Sequence, residues 1–220
     1  ESYASALQVY SVGLVFVRVA AMVMLLPGVG EPAVPARVRL AFAFLLALVL
    51  APIAAPGMGA VPSTVAGVAG GVMHEALIGL MIGGILKIFL SALTTAGEVI
   101  SLQTTLGFAQ TANPAQAQPT AAISAFLSML GLLLVMTTDL HHMFIGAIAR
   151  SFTLFPFSRP LPIEDGAALA LQTVASSFAL GIQLAAPVIV FSLVFNLATG
   201  LIGRVMPAFQ IFFVASPLSV

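Results

Sequence analysis

Between Pro62 and Pro114 the chain carries no proline. A helix drawn from about Thr64 to Thr105 would measure roughly 60 Å, about twice the hydrocarbon thickness of a bilayer. No ordinary membrane span has that length. Glu75, Lys87 and Glu98 divide the stretch into uncharged runs of about ten residues, each too short to face lipid alone. The segment therefore has to bend back, protrude, or be buried in protein. Reading every fourth position gives Gly67, Gly71, Glu75, Gly79, Gly83, Lys87, Ser91 and Thr95, a ridge of small residues broken by two charges. Small residues let helix backbones approach closely, so Gly67, Gly71, Gly79 and Gly83 are read as helix-packing positions. The ridge drifts about 40° per step and winds around the helix.

The rest of the chain has the same character. Of 220 residues, 60% are hydrophobic and 6% charged, where soluble domains carry roughly 25% charged residues. Seven Lys+Arg balance seven Asp+Glu, which removes the broad attraction that nucleic-acid binding depends on. With no Cys, disulfides, thiolate metal sites and Cys nucleophiles are excluded. The expected class is all-α and membrane-type. Val12 to Pro27 is too long and too Arg-interrupted for a signal peptide, so the start reads as mature structure.

Five further segments follow from apolar runs and Pro/Gly punctuation. The first, about Leu7 to Leu26, contains Arg18, which costs about 2.5–3.5 kcal/mol at mid-span and so needs a partner. The second, about Val38 to Ala51, stops at Pro52 and Pro56 and is short for an independent span. A polar, uncharged stretch from Gln103 to Thr120 separates the long third segment from a fourth, about Ala121 to Met136. A fifth, about Met143 to Leu154, is too short to span. After Arg159, Glu164 and Asp165, the run from about Gly166 to Gly203 is interrupted only by Pro187 and predicts a helix pair or a kinked helix. Short and over-long segments together predict hairpins and helices buried in an oligomer.

No G-x-S-x-G, P-loop, Rossmann glycine pattern or H-E-x-x-H occurs. His74-Glu75 and Asp139 with His141-His142 are the His/carboxylate clusters. Adjacent His residues point about 100° apart on a helix and no further ligand follows three or four residues on. They are read as helix-end capping or interfacial polar packing, with no metal, cofactor or catalytic residue assigned. Glu75, Lys87 and Glu98 could form an ion or proton path, or could pair with charges on neighbouring subunits. The second reading is preferred, and Arg18 and Arg204 join these three as intersubunit charge contacts. The loop holding Phe108, Asn113 and Pro114 is either a connector or a device for closing a pore.

At this loop the sequence resembles the FliR family, the flagellar branch of the FliR/SctT export-gate proteins of type III secretion. Leu106, Gly107, Phe108 and Ala109, followed by Asn113-Pro114, match that family's Gly-x-Phe-Ala…Asp/Asn-Pro loop. His141-His142, then Ser151-Phe152 and Phe155-Pro156, resemble its His-His…Ser-Phe-x-x-Leu-Pro pattern. Gly203-Arg204, Pro207, Phe212-Phe213 and Pro217-Leu218 resemble its terminus. Departures are Leu140 where Gly is usual, Ala208 where Gln follows Pro, and no Gly within Ala115 to Ala117.

The resemblance implies a non-catalytic, multi-pass subunit of the bacterial inner membrane at the flagellar basal body. It would close a ring of FliP and FliQ, with FlhB alongside, and help form the channel for unfolded flagellar export substrates. Its helical hairpins would pack into a cone raised above the membrane plane, with Leu106, Gly107, Phe108, Ala109, Asn113 and Pro114 as a pore plug. The expected organisation is one helical domain over 1–220, continuing in the family beyond Val220, with a plug loop at about 103–120. Alternatives are an injectisome SctT-type subunit, an ion-coupled secondary transporter using Glu75, Glu98 and Asp139, or an intramembrane enzyme built on the His pair. A transporter should show an inverted repeat, and none is evident.

Overall fold

The computed structural model describes residues 5–54, 58–104 and 122–205. Among them all regular structure is helical, in six α-helices: α1 (Ala6–Val23), α2 (Ala36–Ala54), α3 (Val65–Gln103), α4 (Ala122–Thr137), α5 (Leu140–Leu154) and α6 (Ile163–Val205). Helix α1 begins with a capping box: Gln8 N–H donates to Ser5 Oγ, and Ser5 N–H donates back to Gln8 Oε1. The turn after it uses Gly28 at φ +86, a conformation other residues adopt only with strain.

Helix α2 runs to Ala54, past Pro52, and reaches 19 residues, which corrects the expectation of a segment too short to span. Proline removes one backbone donor to the carbonyl four residues earlier, and near a helix end one lost bond does not stop the helix. Helix α3 is continuous over 39 residues, about 58 Å. Helix α6 is likewise one helix of 43 residues through Pro187, not a pair. Helices α4 and α5 meet at a 75° bend. By length and composition α1, α2, α3 and α6 are each able to cross a membrane, and the bent pair could supply a fifth crossing.

The described residues fall into two compact units, one within Glu1–Ala92 and Met129–Ser177, the other within Leu93–Ser128 and Phe178–Val220. The core of the first joins Val15, Val19, Met22 and Val23 of α1, and Leu26 of the turn after it, to Ala43, Ala47, Leu50 and Ala54 of α2, with Ile148 and Phe152 of α5. Alanines on α2 let it lie close to α1. In the second unit α3 meets α4 where Gly97 lies against the Ser124 backbone and Ser124 Oγ donates to the Thr94 carbonyl at 3.0 Å. Ser192 Oγ on α6 donates to Gln103 Oε1 at 3.1 Å.

Much apolar surface points outward. In the most apolar stretch of α6 only 11% is buried within the chain, and Leu171, Phe178, Phe191 and Val194 are exposed. Water is a poor neighbour for such a surface, which fits helices covered by lipid or by protein.

Candidate functional site

The Arg18 partner is Glu75. Arg18, on the core face of α1, and Glu75, on α3, are both fully buried, with Nε donating to Oε2 at 2.6 Å. An ionised pair out of water is stable only if its remaining hydrogen-bonding atoms are also satisfied. Here they are: Nη1 donates to the Ser151 carbonyl at 2.9 Å and Nη2 to the Phe155 carbonyl at 2.8 Å. Ser151 lies in the last turn of α5 and Phe155 caps it, so the guanidinium sits at the carbonyl end of that helix, beside the negative end of its dipole. The Phe152 and Phe157 rings lie 4.4 and 5.3 Å from the guanidinium carbon, close enough for cation–π attraction.

Glu75 has a second neighbour. His74 Nδ1 is 3.1 Å from Glu75 Oε1, and its Nε2 is 3.0 Å from the Arg159 carbonyl, which ties the segment after α5 to α3. Alongside opens a cleft of about 570 Å³ lined in part by Tyr10, Gly71, His74, Glu75, Phe157 and Arg159. Three helices and one loop thus converge on one ion pair.

Close approach of α1 and α3 makes this possible. A Cβ at Gly71 would stand 2.7 Å from Tyr10 Oη, at Gly79 2.5 Å from the Arg18 carbonyl oxygen, and at Gly83 3.0 Å from Leu25 Cβ. Contacts at 71, 79 and 83 advance along α1 in the same order, so the two helices run parallel with Glu75 facing Arg18 between the glycines. The ridge winds, yet over three turns it stays against one neighbour, as rows of fourth residues do when they pack into a groove. Gly67 instead faces Pro62 and Thr64 just ahead of the helix.

Arg18 and Glu75 therefore meet each other inside the chain rather than across a subunit boundary, because burial leaves neither side chain a surface to offer. Lys87, Glu98 and Arg204 are exposed. The loop residues Leu106, Gly107, Phe108, Ala109, Asn113 and Pro114 lie outside the described residues. Sequence reasoning missed the two α5 carbonyls, the phenylalanine pair and His74 as partners of the ion pair. Of the two readings of the Asp139 cluster, helix-end capping or interfacial polar packing, side-chain capping is corrected: Asp139 precedes α5 in the left-handed region (φ 57, ψ 18) and makes no side-chain cap hydrogen bond.

Residues 9–220 match the family described as bacterial export proteins, family 1. A protein of Caulobacter vibrioides named flagellar biosynthetic protein FliR is 65% identical over 220 residues, covering 100% of this chain and 88% of that protein. The chain belongs to the FliR family. FliR of Escherichia coli K12 is 33% identical over 92% of this chain and 77% of its own length. FliR of Bacillus subtilis is 28% identical over 94% of this chain and 80% of its own length. The FliR match takes in α1, α3 and α5, the helices that build the buried pair.

Proposed function

We propose that this chain is a non-catalytic structural subunit of the flagellar type III protein export gate. The observation that carries the reading is the 65% identity, over 100% of this chain and 88% of the relative, to the Caulobacter protein named flagellar biosynthetic protein FliR. As a member of an export family it works with other export components, and the partners proposed are FliP, FliQ and FlhB, with unfolded flagellar proteins as cargo. Its place is the inner membrane at the basal body, where the outward apolar faces of α2, α3 and α6 are covered by lipid and by these partners.

The physical chemistry supports a scaffold role. The buried charges are used up in joining helices, with both Glu75 oxygens engaged by Arg18 and His74, so this carboxylate is held in place rather than free to carry ions. Lys87, Glu98 and Arg204, exposed on an otherwise apolar surface, are proposed to pair with neighbouring subunits. Leu106 to Pro114 is proposed as the pore plug.

The protein should leave the membrane in a large heteromeric complex containing the proposed partners, identified by mass spectrometry after mild detergent extraction. Quantitative recovery as a stable monomer would overturn the assignment. Deleting Gly107 to Gln116 in the assembled complex should make vesicles permeable to small ions; unchanged ion conductance would remove the plug role.

A further inference from the structure

Apart from the Arg18–Glu75 pair, the described residues bring together Asp139, His141 and His142 at the bend between α4 and α5. We propose that these three side chains bind a divalent first-row transition-metal ion through two imidazole nitrogens and one carboxylate oxygen.

The geometry begins with the backbone. Asp139 stands three residues before His142, and its left-handed conformation swings the carboxylate across the start of α5 rather than onto the helix amides. The carboxylate therefore caps nothing. Its Oδ1 lies 3.6 Å from His142 Nδ1 and 3.9 Å from His141 Nε2, and one ligand atom from each residue falls within 4.8 Å of the others. These separations exceed hydrogen-bond length. They are near the spacing of donors around one ion, since ligands at about 2.1 Å in a tetrahedral site stand roughly 3.4 Å apart. Side-chain rotations that move the ligand atoms by a few tenths of an ångström to about 1.4 Å close the difference, and Asp139 and His142 are exposed enough to make them.

Nδ1 of His141 is shielded from solvent without a hydrogen-bond partner, which leaves Nε2 as the nitrogen facing the carboxylate. The two imidazole rings stand 4.1 Å apart, so two protonated rings would repel, whereas two neutral rings can share a cation. Two imidazoles with a carboxylate suit zinc, nickel, cobalt or iron(II) rather than magnesium or calcium, which prefer all-oxygen sites. Three protein ligands leave room for water.

The test uses the full chain in detergent, carried on an affinity tag without histidine. Cobalt(II) alone is titrated, followed by its visible absorption and by calorimetry. Binding should saturate at one ion per chain and be displaced by zinc(II). Asp139→Asn should weaken it about tenfold or more, and the His141→Ala/His142→Ala pair should abolish it. His142→Ala alone, at the more exposed ring, serves if the double variant does not fold. Absence of saturable one-to-one binding, or binding unchanged in these variants, would overturn the proposal. Neither result bears on the export reading, which rests on other residues.

Discussion

Replacing Arg18 with methionine should be among the most damaging single changes available in this chain. The side chain is fully buried and makes one charge-assisted bond to Glu75, two bonds to helix-end carbonyls and two aromatic contacts. Methionine restores much of the apolar contact but leaves Glu75 buried without its cation, a defect that typically costs about 3–5 kcal/mol. Ser151 loses one of two donors, since its carbonyl also accepts the Phe155 N–H at 2.9 Å. The Phe155 carbonyl loses its Arg18 donor, adding about 1 kcal/mol or more. The expected loss is about 4–6 kcal/mol.

The informative measurement is a double-mutant cycle on Arg18→Met, Glu75→Met and the pair, read by pulse proteolysis across a denaturant series in mild detergent. Because two apolar side chains can replace a buried ion pair at little net cost, the double variant should be clearly more stable than the sum of the two single losses predicts. A coupling of about 2 kcal/mol or more is expected. Single losses below about 1 kcal/mol, or strict additivity, would refute the account of Arg18 as the staple of α1, α3 and α5.

Gly79→Ala and Gly84→Ala should separate packing from helix propensity. A Cβ at Gly79 meets the Arg18 carbonyl oxygen at 2.5 Å, whereas one at Gly84 meets nothing within 4 Å. Thermal unfolding of the detergent-solubilised chain should show the first destabilised by about 1–3 kcal/mol and the second unchanged or stabilised by up to about 1 kcal/mol. Gly97→Ala should lower the unfolding temperature with helical content retained at low temperature, because its Cβ would collide with the Ser124 backbone rather than a movable side chain. Circular dichroism read during the same scan checks both. Arg18→Lys should fall between wild type and Arg18→Met in the pulse-proteolysis assay, since a single ammonium cannot reach the carboxylate and both carbonyls with the geometry of a guanidinium fork.

The helical class and the long α3 were legible because they depend on local terms: apolar runs, absent prolines and scarce charge. The end of α2 was not, because Pro52 is read in sequence as a stop, and at Pro187 sequence left open a helix pair or one kinked helix, while a helix can lose one backbone bond and continue. The bend at Asp139 was hidden for a related reason: the left-handed backbone of this aspartate is not legible from spacing, which left its carboxylate to helix-end capping or interfacial polar packing.

The ion pair lay between these extremes. Arg18 announced its need for a partner, and the glycines at 71 and 79 marked a face of α3 that α1 approaches closely, with Glu75 centred between them. Joining the two observations would have paired the residues within the chain. A small-residue ridge bears on the charge inside it: where backbones come that close, an acidic side chain that is fully buried needs its cation from the facing helix. The same logic leaves Lys87, Glu98 and Arg204 exposed. Each is exposed and none forms an ion pair among the described residues, so their charges are left to solvent or to groups beyond those residues.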